Sequence, residues 1–262
     1  MNLGLTGRRA LITGGSKGIG FATAKLFAAE GADLCLVARD ADGLADAADS
    51  LRALSRTSVS TLTADLSQAS ERERTCEAFP DVDILVNNAG SIPFGSIDQI
   101  DDQAWQQGWD LKVHGYIDLT RRYLGTMRAR QQGVIVNVIG ASGERLLDSY
   151  VAGSTGNTAL MAFTRIAGSK SPSFGVRVVG VNPGLVASER VDHLAAGNDE
   201  AGDQAPTPGF RIPFGRLATP EEIAASVVFL SSDLSSYTSG TILTIDGGFT
   251  NQSDSALGAS PS

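Results

Sequence analysis

Residues 11–32 read LITGGSKGIGFATAKLFAAEGA, and their order decides the fold. The apolar, β-rich run RRALIT leads into a glycine-rich turn that opens directly onto a helix pattern. Gly14, Gly18 and Gly20 permit a tight turn, a close backbone approach and close packing of helix on strand. The first turn of the helix leaves N–H groups to face a pyrophosphate. Glycines at this spacing also arise by chance, so the weight comes from the strand–turn–helix setting, which marks a dinucleotide site.

The same alternation continues along the chain. ADLCLVA, SVSTLTA, VDILVN, GVIVNVI, VRVVGVN and TILTIDG read as further strands, and their near-continuous apolar runs suit strands buried on both faces. Helix patterns fall between them at Gly18–Glu30, Ala41–Leu54, Ala69–Ala78, Asp102–Arg128, Gly153–Ser169 and Pro220–Ser231. Strand and helix in alternation predict right-handed crossovers and an α/β, doubly wound, mostly parallel sheet with helices on both faces: a single Rossmann-fold domain over residues 1–250. Residues 189–215, ERVDHLAAGNDEAGDQAPTPGFRIPFG, are long for a connection and are expected to form a mobile substrate loop or lid. Residues 251–262, NQSDSALGASPS, are polar and are expected to form a flexible tail.

The 262 residues are 42% hydrophobic and 19% charged, enough apolar chain to bury a core. A net charge of -8 argues against a nucleic-acid or anionic-membrane surface. No apolar run is long enough for a membrane span or a secretion signal, which predicts a cytoplasmic protein. Cys35 and Cys76 lack metal-ligand spacing and are expected to be reduced and structural. His114 and His193, the two histidines, have no ligand partners nearby in sequence, so no metal is expected.

TGGSKGIG resembles the TGxxxGxG fingerprint of the short-chain dehydrogenases/reductases, and the likeness continues in register through nearly the whole chain. It implies cofactor contacts from Gly14, Ser16, Lys17, Gly18, Ile19 and Gly20. ADLS resembles the adenine-contacting segment, with Asp65 and Leu66. NNAG resembles the motif after the fourth strand, with Asn88, Ala89 and Gly90. VNPGLVAS resembles the nicotinamide-side motif, with Pro183, Gly184, Val186 and Ser188. The block RLATPEEIAASVVFLSSDLSSYTSGTILTIDGG resembles one that packs at subunit interfaces in relatives, implying a homo-oligomer, tetramer or dimer, or a hetero-oligomer with an active relative. At the end of the second strand an NAD site usually carries an acid, whereas the 2′-phosphate of NADP needs a cation. Arg39 holds that position and Lys17 lies in the glycine turn, which favours NADP(H) over NAD(H), although Asp40 follows directly.

The catalytic positions depart from the family. In relatives a tyrosine carries the proton of the substrate oxygen, a lysine four residues later lowers its pKa and holds the nicotinamide ribose, a serine steadies the carbonyl, and an asparagine completes a relay. The helix NTALMAFTRIA resembles the family's SKAALxxFTRxLA and fixes the register. The lysine position is then Asn157, the tyrosine position Gly153, the serine position Gly140 and the asparagine position Lys112. Glycine cannot donate a proton, so the usual route is closed at these positions. Asn157 can still offer the ribose a neutral hydrogen bond.

Three readings follow. The leading expectation is an atypical or non-catalytic NADP(H)-binding member, a supporting subunit of an oligomer. The second is an oxidoreductase on an alcohol or carbonyl with a relocated set, Tyr150, Lys112 and Ser142. The third is a sensor whose small-molecule ligand enters the room left by the two glycines. Glu144, Arg145 and Asp148 border the cleft in the family's arrangement and are expected to be solvated, the alternatives being that they bind a polar ligand or catalyse a reaction other than hydride transfer.

Overall fold

The computed structural model describes residues 2–187 and 212–252. Seven strands form one parallel sheet: β1 (Arg9–Thr13), β2 (Asp33–Ala38), β3 (Val59–Thr63), β4 (Ile84–Asn87), β5 (Gly133–Val138), β6 (Val176–Pro183) and β7 (Ile242–Ile245), in the order β3-β2-β1-β4-β5-β6-β7. Leu11, for example, pairs with Cys35 on one side and Leu85 on the other. The helices are α1 (Gly18–Ala29), α2 (Ala41–Leu54), α3 (Ala69–Ala78), α4 (Asp102–Trp109), α5 (Gly115–Arg130), α6 (Val151–Lys170) and α7 (Pro220–Ser231). The expected α/β Rossmann architecture is therefore what the chain adopts.

The core lies on both faces of the sheet because the central strands are apolar on both. On one face Ile12, Phe27, Leu34, Leu36, Val86 and Val179 pack together. On the other, Leu11, Val37, Leu85, Tyr123 and Ile135 do so. The expectation of strands buried on both faces fails at the edges: after the buried Val59, β3 alternates between half-buried and exposed positions, and β7 is half-buried except for the exposed Leu243, each strand having a partner on one side alone. The strand order reverses between β1 and β4, which opens a crevice beyond their C-terminal ends.

Two expectations about helices need correction. The run expected over Asp102–Arg128 is interrupted by a π turn at Asp110–His114, between α4 and α5. Five residues are too few for apolar periodicity to distinguish a π turn from an α-turn. The helix expected from Gly153 starts at Val151, with Tyr150 as its N-cap. Gly153 is a poor helix former by propensity, but it lies within the first turns of α6, where contacts decide. α7 begins as its sequence TPEE suggests, with a capping box between Thr219 and Glu222. Ser188, His193, most of the expected lid (to residue 211) and the tail from residue 253 lie outside the described residues.

Candidate functional site

The glycine turn after β1 closes onto the segment after β4. Gly14 and Gly18 have φ of +66° and +55°, and no atom lies within 4 Å of where a Gly18 side chain would stand. A Cβ on Gly20 would overlap the Gly14 carbonyl, so α1 packs directly on its own approach turn. The Asn88 amide donates to the carbonyls of Thr13 (2.9 Å) and Gly14 (3.3 Å), and the Thr13 hydroxyl accepts from the backbone N–H groups of Asn88 and Ala89. Turn and motif thus form one unit, and the side above Gly18 is open for a ligand. Ser16 and Ile19 are half-buried in this turn, and Lys17 is exposed at the N-cap of α1.

Asp40 caps α2, accepting from the N–H of Gly43 at 3.2 Å, where a carboxylate also complements the helix dipole. That engages the acid next to Arg39, which is exposed at the end of β2. Asp65 accepts from the N–H of Ser67 (3.1 Å), and Leu66 is buried beside it. Pro183 ends β6; beyond Gly184, Val186 forms an isolated bridge with Ala218.

At residues 140 and 153 neighbouring side chains fill the space beside the glycines. A Cβ on Gly153 would overlap the ring of Tyr150, so this ring occupies the space a side chain at 153 would enter. A Cβ on Gly140 would stand 2.8 Å from Nδ2 of Asn157. Gly140 also has a φ of +154°, a conformation that side chains other than glycine rarely adopt. The room expected for a sensor's ligand is therefore already taken by Tyr150 and Asn157.

The relocated set is partly brought together. Asn157, 2% exposed, donates from Nδ2 to the Ser142 hydroxyl at 2.7 Å, while its Oδ1 is buried without a partner. Lys112 sits in the π turn; its stem runs past Gly90 and its Nζ donates to the carbonyl of Ile139, the residue before Gly140. Tyr150 is held by Phe94, whose ring stacks on it at 4.3 Å and 27°. The backbone repeats this contact: the N–H of Gly95 donates to Ser149 O (2.8 Å), and that of Val151 to Gly95 O (3.3 Å). Behind lies Tyr116, whose hydroxyl donates to Val138 O at 3.0 Å; burial, and then the neighbouring Tyr150, push its phenol far above the usual range.

Phe94 was not legible as a site residue. The exposed half of its ring and the bridge at Gly95 arise from a contact between segments distant in sequence, and no local pattern encodes it.

The other polar residues near the cleft are engaged. Glu144 accepts from Asn182 (3.0 Å) and from the Thr244 hydroxyl. Arg145 donates to Phe249 O (2.7 Å) and lies over its ring. Asp148 accepts from the N–H of Ser149. Glu144 and Arg145 fasten the turn that carries Ser142 to the chain around β7. His114 is exposed and pairs with Asp110 at 2.8 Å. Burial raises the thiols of Cys35 and Cys76, as structural cysteines require.

Comparison with known proteins places this arrangement. Residues 14–250 match a family model described as enoyl-(acyl carrier protein) reductase. A cis-4-hydroxycyclohexanecarboxylate dehydrogenase from Sinomonas cyclohexanicum is 35% identical over 250 residues, 93% of this chain and 96% of the relative. A galactitol 2-dehydrogenase (L-tagatose-forming) from Cereibacter sphaeroides is 35% identical over 251 residues, covering 94% and 96%. Among solved structures, L-sorbose reductase from Gluconobacter frateurii, complexed with NADPH and L-sorbose, superposes with a TM-score of 0.90 at 33% identity, covering 96% of this chain and 100% of that one. No helix among the described residues is long and apolar enough to cross a membrane.

Proposed function

The chain belongs to the short-chain dehydrogenase/reductase family, and from that premise we propose that it is an NADP(H)-dependent oxidoreductase of an alcohol or carbonyl substrate in which Tyr150, rather than residue 153, handles the proton. The observation that carries this reading is the Tyr150 ring lying where a side chain at 153 would go. The expectation of a non-catalytic member finds no support among the relatives named above, which are dehydrogenases and a reductase.

The residues present suit a dinucleotide. Gly14, Gly18 and the N-terminus of α1 would hold the pyrophosphate, Asp65 and Leu66 the adenine, and Arg39 with Lys17 the 2′-phosphate. The buried, unpartnered Oδ1 of Asn157 would accept from a ribose hydroxyl. When bound, the cofactor supplies or accepts a hydride at the substrate's carbonyl carbon. In the reducing direction the Tyr150 hydroxyl donates its proton to the carbonyl oxygen, and the phenolate that remains is later reprotonated from solvent. Because Asn157 donates to the Ser142 oxygen, the Ser142 proton is left to donate to the substrate oxygen. Lys112 brings a positive charge to the Ile139 carbonyl, and an ammonium in the pocket lowers the cost of forming a phenolate. As a macromolecular partner we propose a second copy of this chain, through the exposed Phe229, Leu234 and Tyr237 of the C-terminal block.

The test is calorimetric titration with NADPH and NADH, followed by NADPH-dependent turnover of cyclic ketones and ketoses. NADPH binds more tightly than NADH, and Arg39→Ala removes the preference. Tyr150→Phe keeps NADPH binding and lowers turnover by about 100-fold or more. Full turnover in Tyr150→Phe, or no dinucleotide binding by the wild type, refutes the proposal.

A further inference from the structure

Arg72 lies on α3 and has no place in the site described above, yet only 9% of its side chain is exposed. A guanidinium is buried at high cost unless its donors are engaged, and here they reach three segments. Nε donates to Asp118 Oδ2 on α5 at 3.0 Å. Nη1 donates to the carbonyls of Leu66 (2.8 Å) and Ser67 (2.9 Å), and lies 3.5 Å from that of Asp110. Asp118 is itself held by Arg121 and Arg122; burial alone would raise its carboxyl, but hydrogen bonds from Arg121, Arg72 and Arg122 outweigh that and keep it below the usual carboxylate range. The ion pair is therefore intact at neutral pH and fixes the guanidinium.

Leu66 and Ser67 belong to the segment assigned above to adenine. Asp110 opens the π turn that carries Lys112. The two segments also lie close at Gly115, the first residue of α5, where an added Cβ would stand 3.5 Å from the Leu66 carbonyl oxygen and 3.4 Å from that of Asp110. A π turn holds one more residue than the α-helix would. Shifting that residue by one position turns a side chain about 100° round the axis. In the register the structure shows, Lys112 meets the Ile139 carbonyl.

We propose that Arg72 is a positioning residue that couples the adenine subsite to Lys112. A ligand on the adenine side orders Leu66 and Ser67, Arg72 carries that order to the Asp110 carbonyl, and the π turn is thereby held in the register from which Lys112 reaches Ile139. The coupling rests on the cofactor reading above, and its test does not use turnover.

Amide hydrogen exchange is followed with and without saturating adenosine 2′,5′-bisphosphate, which lacks the nicotinamide half, in wild type, Arg72→Gln and Arg72→Lys. In wild type the ligand slows exchange at residues 64–67 and, by about tenfold, at residues 110–114. In Arg72→Gln it protects 64–67 alone. Arg72→Lys keeps a charge for Asp118 but cannot also span the carbonyls, so it folds and shows the same loss; it serves if the glutamine variant does not fold. A merely structural arginine would speed exchange equally with and without ligand, and that result overturns the coupling. So does protection of 64–67 without protection of 110–114 in wild type. If the ligand protects neither segment in wild type, the adenine assignment fails and the coupling falls with it.

Discussion

The two halves of the cleft use glycine in opposite ways. On the β1–β4 side, Gly14, Gly18 and Gly20 stand where the backbone needs them: φ is positive at the first two, and the third lets α1 touch its own approach turn. On the β5–α6 side, a Cβ on Gly140 or Gly153 would run into the side chain of Asn157 or Tyr150. Glycine in the first half answers to the main chain, whereas Gly153 answers to the Tyr150 ring, and Gly140 to both its φ of +154° and the Asn157 side chain. The sequence shows glycines in both halves; the structure shows two different kinds of close packing around them.

That contrast can be broken by adding atoms. Gly20→Ala drives a methyl into the Gly14 carbonyl, a backbone atom that cannot swing aside, and should cost about 3 kcal/mol by denaturant unfolding together with most dinucleotide affinity. Gly140→Ser should cost about 2 kcal/mol, because φ of +154° disfavours a side chain and Asn157 stands in its way. A stabilising effect of that substitution would mean that the Ser142 turn rearranges freely. Phe94→Ala removes the ring stacked on Tyr150 and should lower turnover by roughly tenfold with little change in NADPH affinity.

The smallest effect lies away from the cleft, at the start of α7. Arg216 first, and then the N–H of Thr219, hold the Glu222 carboxyl at about 2. A depressed carboxylate contributes stability that is present above the ordinary 4.5 and is lost as pH falls toward 2. The Tm of wild type should therefore exceed that of Glu222→Gln slightly at pH 7, with the gap closing between pH 4.5 and 2. Both partners are exposed, so the gap is small.

The seven strands and most helix bounds were legible because long apolar runs and the glycine turn are local signals. Ala41–Leu54, Ala69–Ala78 and Pro220–Ser231 stand as the sequence suggested. The π turn was not legible, since five residues are too few to mark it by periodicity and Arg72, which contacts the Asp110 carbonyl, comes from a segment distant in sequence. The glycines at 140 and 153 could be read, but the filling of the space beside Gly153 by Tyr150 could not: the helix begins two residues earlier than its pattern suggests, and Phe94 stacks on the ring from a distant segment. Glu144 and Arg145 read as cleft residues and proved to be fasteners, because their partners Thr244 and Phe249 come from the far end of the chain.

The exchange between Tyr150 and Gly153 is tested most directly by a double-mutant cycle on unfolding free energy, with Gly153→Tyr, Tyr150→Ala and both together. If one ring fills the space for the other, Gly153→Tyr alone is strongly destabilising and Tyr150→Ala relieves it, giving a coupling of about 2 kcal/mol or more. Additivity within about 0.5 kcal/mol would show that the two positions do not share that space, and the account of a repacked rather than emptied site would be wrong.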